Sequence, residues 1–148
     1  MTTIDDVLRS KANTEIWTIA PTATVYQALE VLAEKNIGAL PVVEGDRLVG
    51  LFSERDYARK VFLKGKCSLD TAVEEIMVHD LITVRPQHTI KDCMVLMTEN
   101  HIRHLLVVDG EHLVGIVSMR DLVERIISRQ ENTIESLENY ITGTDYGK

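Results

Sequence analysis

Two short segments, Ser53-Glu54-Arg55-Asp56 and Ser118-Met119-Arg120-Asp121, place a hydroxyl, a guanidinium and a carboxylate within one turn of each other. A serine followed three residues later by an acid is a helix start, with the hydroxyl capping backbone N–H groups and the carboxylate at the positive end of the helix dipole. The same helix start exposes N–H groups able to hold a phosphate, to which Ser53 and Ser118 can add hydroxyls. Cations are available too. Arg103-His104 precedes an apolar run in the second half of the chain, where the first half has Gly38-Ala39. Arginine offers a fixed fork of donors, whereas His104 is expected to be only partly protonated near neutrality. Arg55, Arg59 and Arg120 suit either phosphate contacts or surface ion pairs with neighbouring acids, and Lys60 is expected in solvent. His101-x-x-His104 and His112 do not make a metal set, since His104 falls past the expected helix end and no thiol or carboxylate completes it. The chain lacks a Ser-His-Asp order, a glycine-rich phosphate loop and a catalytic carboxylate constellation. Binding, not catalysis, is the chemistry expected.

Elements must hold these groups, and 148 residues with 45% hydrophobic and 26% charged content suffice for one domain or two half-size units sharing a core. The formal charge of −7 opposes polynucleotides and anionic membrane surfaces. No run of about 18 apolar residues would cross a membrane, and Met1-Thr2-Thr3-Ile4-Asp5-Asp6 lacks the character of a signal peptide, so a cytoplasmic protein is expected. Cys67 and Cys93 form no CxxC pair and are expected to be reduced, structural thiols.

The chain contains itself twice. Residues 17–61 lie over residues 82–126 at a constant offset of 65, and fifteen of the 45 positions are identical, among them Pro21/Pro86, Gly45/Gly110, Ser53/Ser118, Arg55/Arg120 and Asp56/Asp121. Two copies of this length predict pseudo-two-fold packing rather than a solenoid. Each copy reads strand, helix, strand, strand, helix, an α+β arrangement. An extended piece (17–19, 82–84) ends near a proline. Thr24 and Thr89 then cap a helix with an apolar face at helical spacing, and two β-branched runs flank a turn at Gly45 or Gly110. Ser53 or Ser118 opens the last helix. Residues 1–16 form an N-terminal flank, 62–81 a connector and 127–148 a C-terminal helical tail, and Ile126, Ile127, Ile134, Leu137 and Ile141 can serve a dimer seam or a docking face. Trp17 is expected to anchor the core.

The duplicated Gly-apolar-x-Ser-x-x-Asp pattern behind the strand Leu40-Pro41-Val42-Val43, and its counterpart Leu105-Leu106-Val107-Val108, resembles a tandem pair of cystathionine β-synthase (CBS) domains, the Bateman module, in its stand-alone bacterial form. The resemblance implies a regulatory module, not an enzyme, that binds AMP, ADP, ATP, NAD(H) or S-adenosylmethionine between its repeats and forms a disc-shaped homodimer. It implies that Asp56 and Asp121 accept hydrogen bonds from the ribose hydroxyls, work suited to a carboxylate's two oxygens. It turns the corner at Arg103-His104 towards the ligand's phosphates. It nominates Thr18, Ile19, Ile37 and Ala39, with Thr83, Val84 and Ile102, for the adenine slot. The two clefts are expected to differ, Gly38-Ala39 leaving space where Arg103-His104 adds charge. The regulated partner is not named by the sequence, and a scaffold with empty clefts is the alternative.

Overall fold

The computed structural model describes residues 2–11 and 15–142, so that the end of the expected tail, 143–148, lies outside the described residues. Helix α1 (Ile4–Ser10) is followed by α2 (Val25–Lys35), strands β1 (Ala39–Glu44) and β2 (Arg47–Ser53), and a short α3 (Glu54–Asp56). After it come α4 (Val73–Ile76), β3 (Thr83–Val84), α5 (Ile90–Asn100), β4 (His104–Asp109), β5 (His112–Ser118) and the long α6 (Met119–Thr142).

The two halves repeat each other down to their irregularities. Thr24 and Thr89 both close capping boxes, with Gln27 and Asp92, and both helices end on a left-handed residue, Asn36 and His101, each at φ 54°. Both hairpins turn through a glycine of positive φ, Gly45 at 62° and Gly110 at 64°, where a Cβ would be strained. Both carry an irregularity at the same step, Val42/Val43 and Val107/Val108. In the second half β3 pairs in parallel with β4, giving the sheet order β3-β4-β5. In the first half the matching contact shrinks to one parallel bridge, Ile19 to Val42, and the extended piece expected at 17–19 forms no strand of its own.

Each half buries its own apolar cluster between the hairpin and the first helix, with matched pairs Val25/Ile90, Leu32/Met97, Leu40/Leu105 and Phe52/Val117. The flank and the connector complete these cores crosswise. Ile4 and Val7 of α1 are buried in the second half, where Ile4 N–H donates to His88 O and Asp5 N–H to Pro86 O. Val73, Ile76 and Met77, on and after α4, are buried in the first half. Glycines make room for both: a Cβ on Gly50 would stand 2.8 Å from Met77 Cγ, and one on Gly115 2.7 Å from Leu8 Cδ2. Neither half closes its core without a segment from outside its own repeat, as the small size of each unit demands.

The last helices differ. In the first half α3 widens at once into a π-helical stretch, Tyr57–Phe62, and ends before Gly65 at φ 68°, whereas α6 runs for 24 residues. The plain helix expected after Ser53 is therefore a short, widened one, with only Val61 of the π stretch buried.

Candidate functional site

The helix starts form as the Ser-x-x-Asp spacing requires. Asp56 N–H donates to Ser53 Oγ at 3.2 Å and Ser53 N–H returns a bond to Asp56 Oδ2 at 3.0 Å. The second copy matches, with Asp121 N–H to Ser118 Oγ at 3.1 Å and Ser118 N–H to Asp121 Oδ2 at 2.8 Å. One backbone bond in each half then fixes the helix start beside the turn that ends the first helix: Glu54 N–H to Gly38 O at 3.1 Å, and Met119 N–H to Arg103 O at 2.8 Å. The carboxylate and the corner ahead of the central strand are thus neighbours by construction.

Between the halves lies a cleft of about 790 Å³, inside the range of small-molecule sites. Of the residues singled out from the sequence, it brings together Asp121, Ser118, Arg120, Arg103 and His104 from the second half with Ile37 and Ala39 from the first. The Asp56 end, with Ser53 and Arg55, does not border this cleft. Neither do Thr18, Ile19, Thr83, Val84 and Ile102: Thr18 and Thr83 are exposed, Ile19 and Ile102 pack against the two cores, and Val84 is buried in the second core.

Charged cleft residues absent from the sequence expectations are Lys11, Glu15, Lys35, Glu124 and Arg125. Trp17, expected in the core, packs against the first core and also walls the cleft, with Lys35 Nζ 4.1 Å from its ring centroid. Arg125 aligns with Lys60 at the offset of 65, so the repeat itself pointed to it. Lys11 lies outside the repeats and nothing in the pattern marked it.

Local electrostatics sort the candidates. Asp121 is four-fifths buried and holds Lys11 Nζ at 3.2 Å from Oδ2. Asp56 is more buried still, with Lys60 Nζ 3.3 Å from Oδ1 and that ammonium also donating to Ile76 O at 3.1 Å. Lys60 is therefore an ion-pair partner and not the free surface cation expected. Arg120 pairs with Glu124 at 2.9 Å, along its own helix rather than with Asp121. Arg55 Nη1 reaches across the halves to His101 O at 2.9 Å, placing a cation at the negative end of α5. Arg103 is exposed at the cleft mouth. Arg125 Nε is buried with no hydrogen-bond partner, and the charge of its guanidinium acts on Asp6 of α1.

His104 departs from expectation. A Cβ on Gly38 would lie 3.4 Å from His104 Cε1 and Nε2, so the imidazole fills the space that Gly38 was expected to leave open. Burial pushes its pKa below the ordinary 6.5; Asp121 pulls the other way, and Lys11 and Arg103 reinforce the fall. Burial thus disfavours the charged imidazolium that a phosphate contact would use. The cleft therefore presents three carboxylates, Glu15, Asp121 and Glu124, five cations and an aromatic wall. That set suits a ligand with hydroxyl donors, a flat ring and negative charge.

Comparison with known proteins gives the arrangement its relatives. The family model described as the CBS domain matches residues 3–62 and 73–128, two copies that take in α1 and α4. The chain is 37% identical to "CBS domain-containing protein CBSX3, mitochondrial" of Arabidopsis thaliana, over 96% of this chain and 73% of that one. It is 32% identical to CBS domain-containing protein YhcV of Bacillus subtilis, over 83% and 87%. Among solved structures, a CBS-domain protein from Burkholderia ambifaria superposes with a TM-score of 0.84 at 45% identity, covering 87% of this chain and 96% of that one. The CBS domain pair of protein MJ0100, solved with 5′-methylthioadenosine and S-adenosyl-L-methionine, superposes at 0.76 with 26% identity, covering 88% and 98%.

Proposed function

This chain belongs to the CBS-domain family as a tandem pair, and on that premise we propose that it is a regulatory module, without catalysis of its own, that binds an adenine nucleotide in the cleft beside Asp121. The observation that carries the reading is the cleft: a nucleotide-sized hollow lined by a part-buried carboxylate together with Arg103 and Arg125, whose Nε has no hydrogen-bond partner. Asp121 Oδ1 receives one ribose hydroxyl and Oδ2 the other, Arg103 and Arg125 take the phosphates, and the base lies among Ile37, Ala39 and Trp17. The adenosyl ligands of MJ0100 support the ligand class, and AMP, ATP and NAD(H) are the members the cations suit best. Asp56, which does not border the cleft, is the weaker of the two sites.

The unpartnered helical face supports a homodimer. A groove of about 520 Å³ between α5 and α6 is lined by Ile90, Met94, Val95 and Ile126, and Ile127, Ile134 and Leu137 continue the apolar stripe, all three about half exposed. The side chain of Ile141 lies outside the described residues. Among the described residues no helix is long and apolar enough to cross a membrane. A cytoplasmic setting is supported by Cys67 and Cys93, which are both free.

Calorimetric titration with AMP, ATP and NADH tests the reading. Asp121→Asn keeps an acceptor for the helix cap but loses the charge, and should weaken binding about tenfold or more, since a hydrogen bond to a charged group is worth about 1.5–3 kcal/mol. An unchanged isotherm removes Asp121 from the site. No heat with any adenosyl compound favours the scaffold reading, with a protein partner on the helical face.

A further inference from the structure

The two Ser-x-x-Asp sites are built alike but wired differently. In the first half the carboxylate is held by Lys60, one turn along the same helix, and that ammonium also bonds Ile76 O next to the inserted helix α4. At the aligned position the second half has Arg125, and Arg125 does not pair with Asp121. Its place is taken from outside: Lys11, at the C-terminal end of the inserted helix α1, sends its ammonium to Asp121 Oδ2 at 3.2 Å and to Ile116 O at 3.0 Å. Oδ2 already accepts the Ser118 N–H at 2.8 Å, so both of its lone pairs are engaged. A vicinal diol gripped by both oxygens of Asp121 needs one of those lone pairs back. The N–H of Ser118 belongs to the helix cap and stays, whereas the Lys11 side chain is long, part-exposed and attached to a fixed helix end.

We propose that Lys11 is a displaceable latch on the nucleotide cleft, its ammonium and the ligand's ribose competing for Asp121. This rests on the reading of the cleft given above. Ligand affinity is then set by two opposed cations. Lys11 closes the carboxylate against the sugar, and Arg125, spared from that carboxylate by Lys11, is held ready for the anionic end of the ligand. Binding withdraws Lys11 from both Asp121 and Ile116 O, so occupancy is reported at the end of α1. The latch lowers affinity without contributing a ligand contact of its own.

Lys11→Met keeps the aliphatic stem against the cleft wall and removes the charge. Titrated with AMP and with ATP beside the wild type, it should bind about three- to tenfold more tightly, the range that a part-buried ion pair with a second charged hydrogen bond covers. Lys11→Gln, which keeps a donor for Ile116 O, serves as a second variant should the methionine lower stability, and should also bind more tightly. Equal or weaker binding by both variants, with the wild type binding in an Asp121-dependent way, overturns the latch and leaves the cleft reading standing. Binding by the variants alone supports the latch. No binding by any of the three chains overturns the cleft reading, and the latch with it.

Discussion

Replacing Ile4 by alanine should destabilise the chain far more than a residue in an N-terminal flank has any right to. Ile4 is fully buried, in the cluster that holds Val84, Cys93, Met97, Leu105 and Leu122, and its N–H donates to His88 O at 2.8 Å. Truncation removes three carbons from a packed site and leaves a cavity, which costs about 2–5 kcal/mol for an isoleucine in a core. For a chain of this size each kcal/mol lowers Tm by about 2–4 °C, so the fall should be on the order of 10 °C. Ile4→Val, one methylene smaller, should cost only about 0.5–1.5 kcal/mol. Urea unfolding followed by far-ultraviolet circular dichroism measures both on one scale. A midpoint for Ile4→Ala within about 0.5 kcal/mol of wild type, the range of ordinary surface substitutions, would mean that α1 does not complete the second core, and the crosswise exchange of α1 and α4 would fall.

Gly50→Ala places a Cβ 2.8 Å from Met77 Cγ and 3.1 Å from the Val78 carbonyl, so it should cost about 1–3 kcal/mol by overpacking; wild-type stability would show that the α4 segment sits further off. His104 is held below pKa 6.5 by burial, so the unfolded chain takes up a proton that the folded chain refuses. The stability this supplies is fully present above about pH 6.5 and is lost as pH falls through the folded value, so the urea midpoint should drop between about pH 7.5 and 5.5, and drop less in His104→Asn. Equal slopes for the two chains would place the ring in solvent. Cys93 is buried, its thiol pushed up to about 11, while Cys67 is exposed. Ellman's reagent at about pH 8 should therefore find one fast thiol in the native chain and a second only on unfolding, because only a thiolate attacks; two fast thiols contradict the second core.

What could be read from the sequence is what the repeat encodes locally. Thr24 and Thr89, the hairpin glycines and the paired Ser-x-x-Asp starts each specify their own element, and each forms as read. What escaped depends on one half meeting another segment. Residues 4–8 and 73–77 do match, Ile4-Asp5-Asp6-Val7-Leu8 against Val73-Glu74-Glu75-Ile76-Met77, but at an offset of 69 and not 65, so the register of the main repeat passes over them, and Val73 stands in the first core where Ile4 stands in the second. Lys11 reaches Asp121 across more than a hundred residues of sequence. Gly38 and His104 interlock only because the halves pack with a particular register, which two-fold resemblance does not specify. The cleft accordingly drew on the predicted Ile37, Ala39, Arg103, His104, Ser118, Arg120 and Asp121, while Thr18, Ile19, Thr83 and Val84 turned to the cores or to solvent away from it.

The most direct measurement is a crystal structure of the chain grown with AMP or ATP. The account predicts density between the halves with both ribose hydroxyls in hydrogen-bond reach of the Asp121 carboxylate and phosphate near Arg125. Nucleotide seated elsewhere on the molecule, with Asp121 turned away from it, would contradict the account.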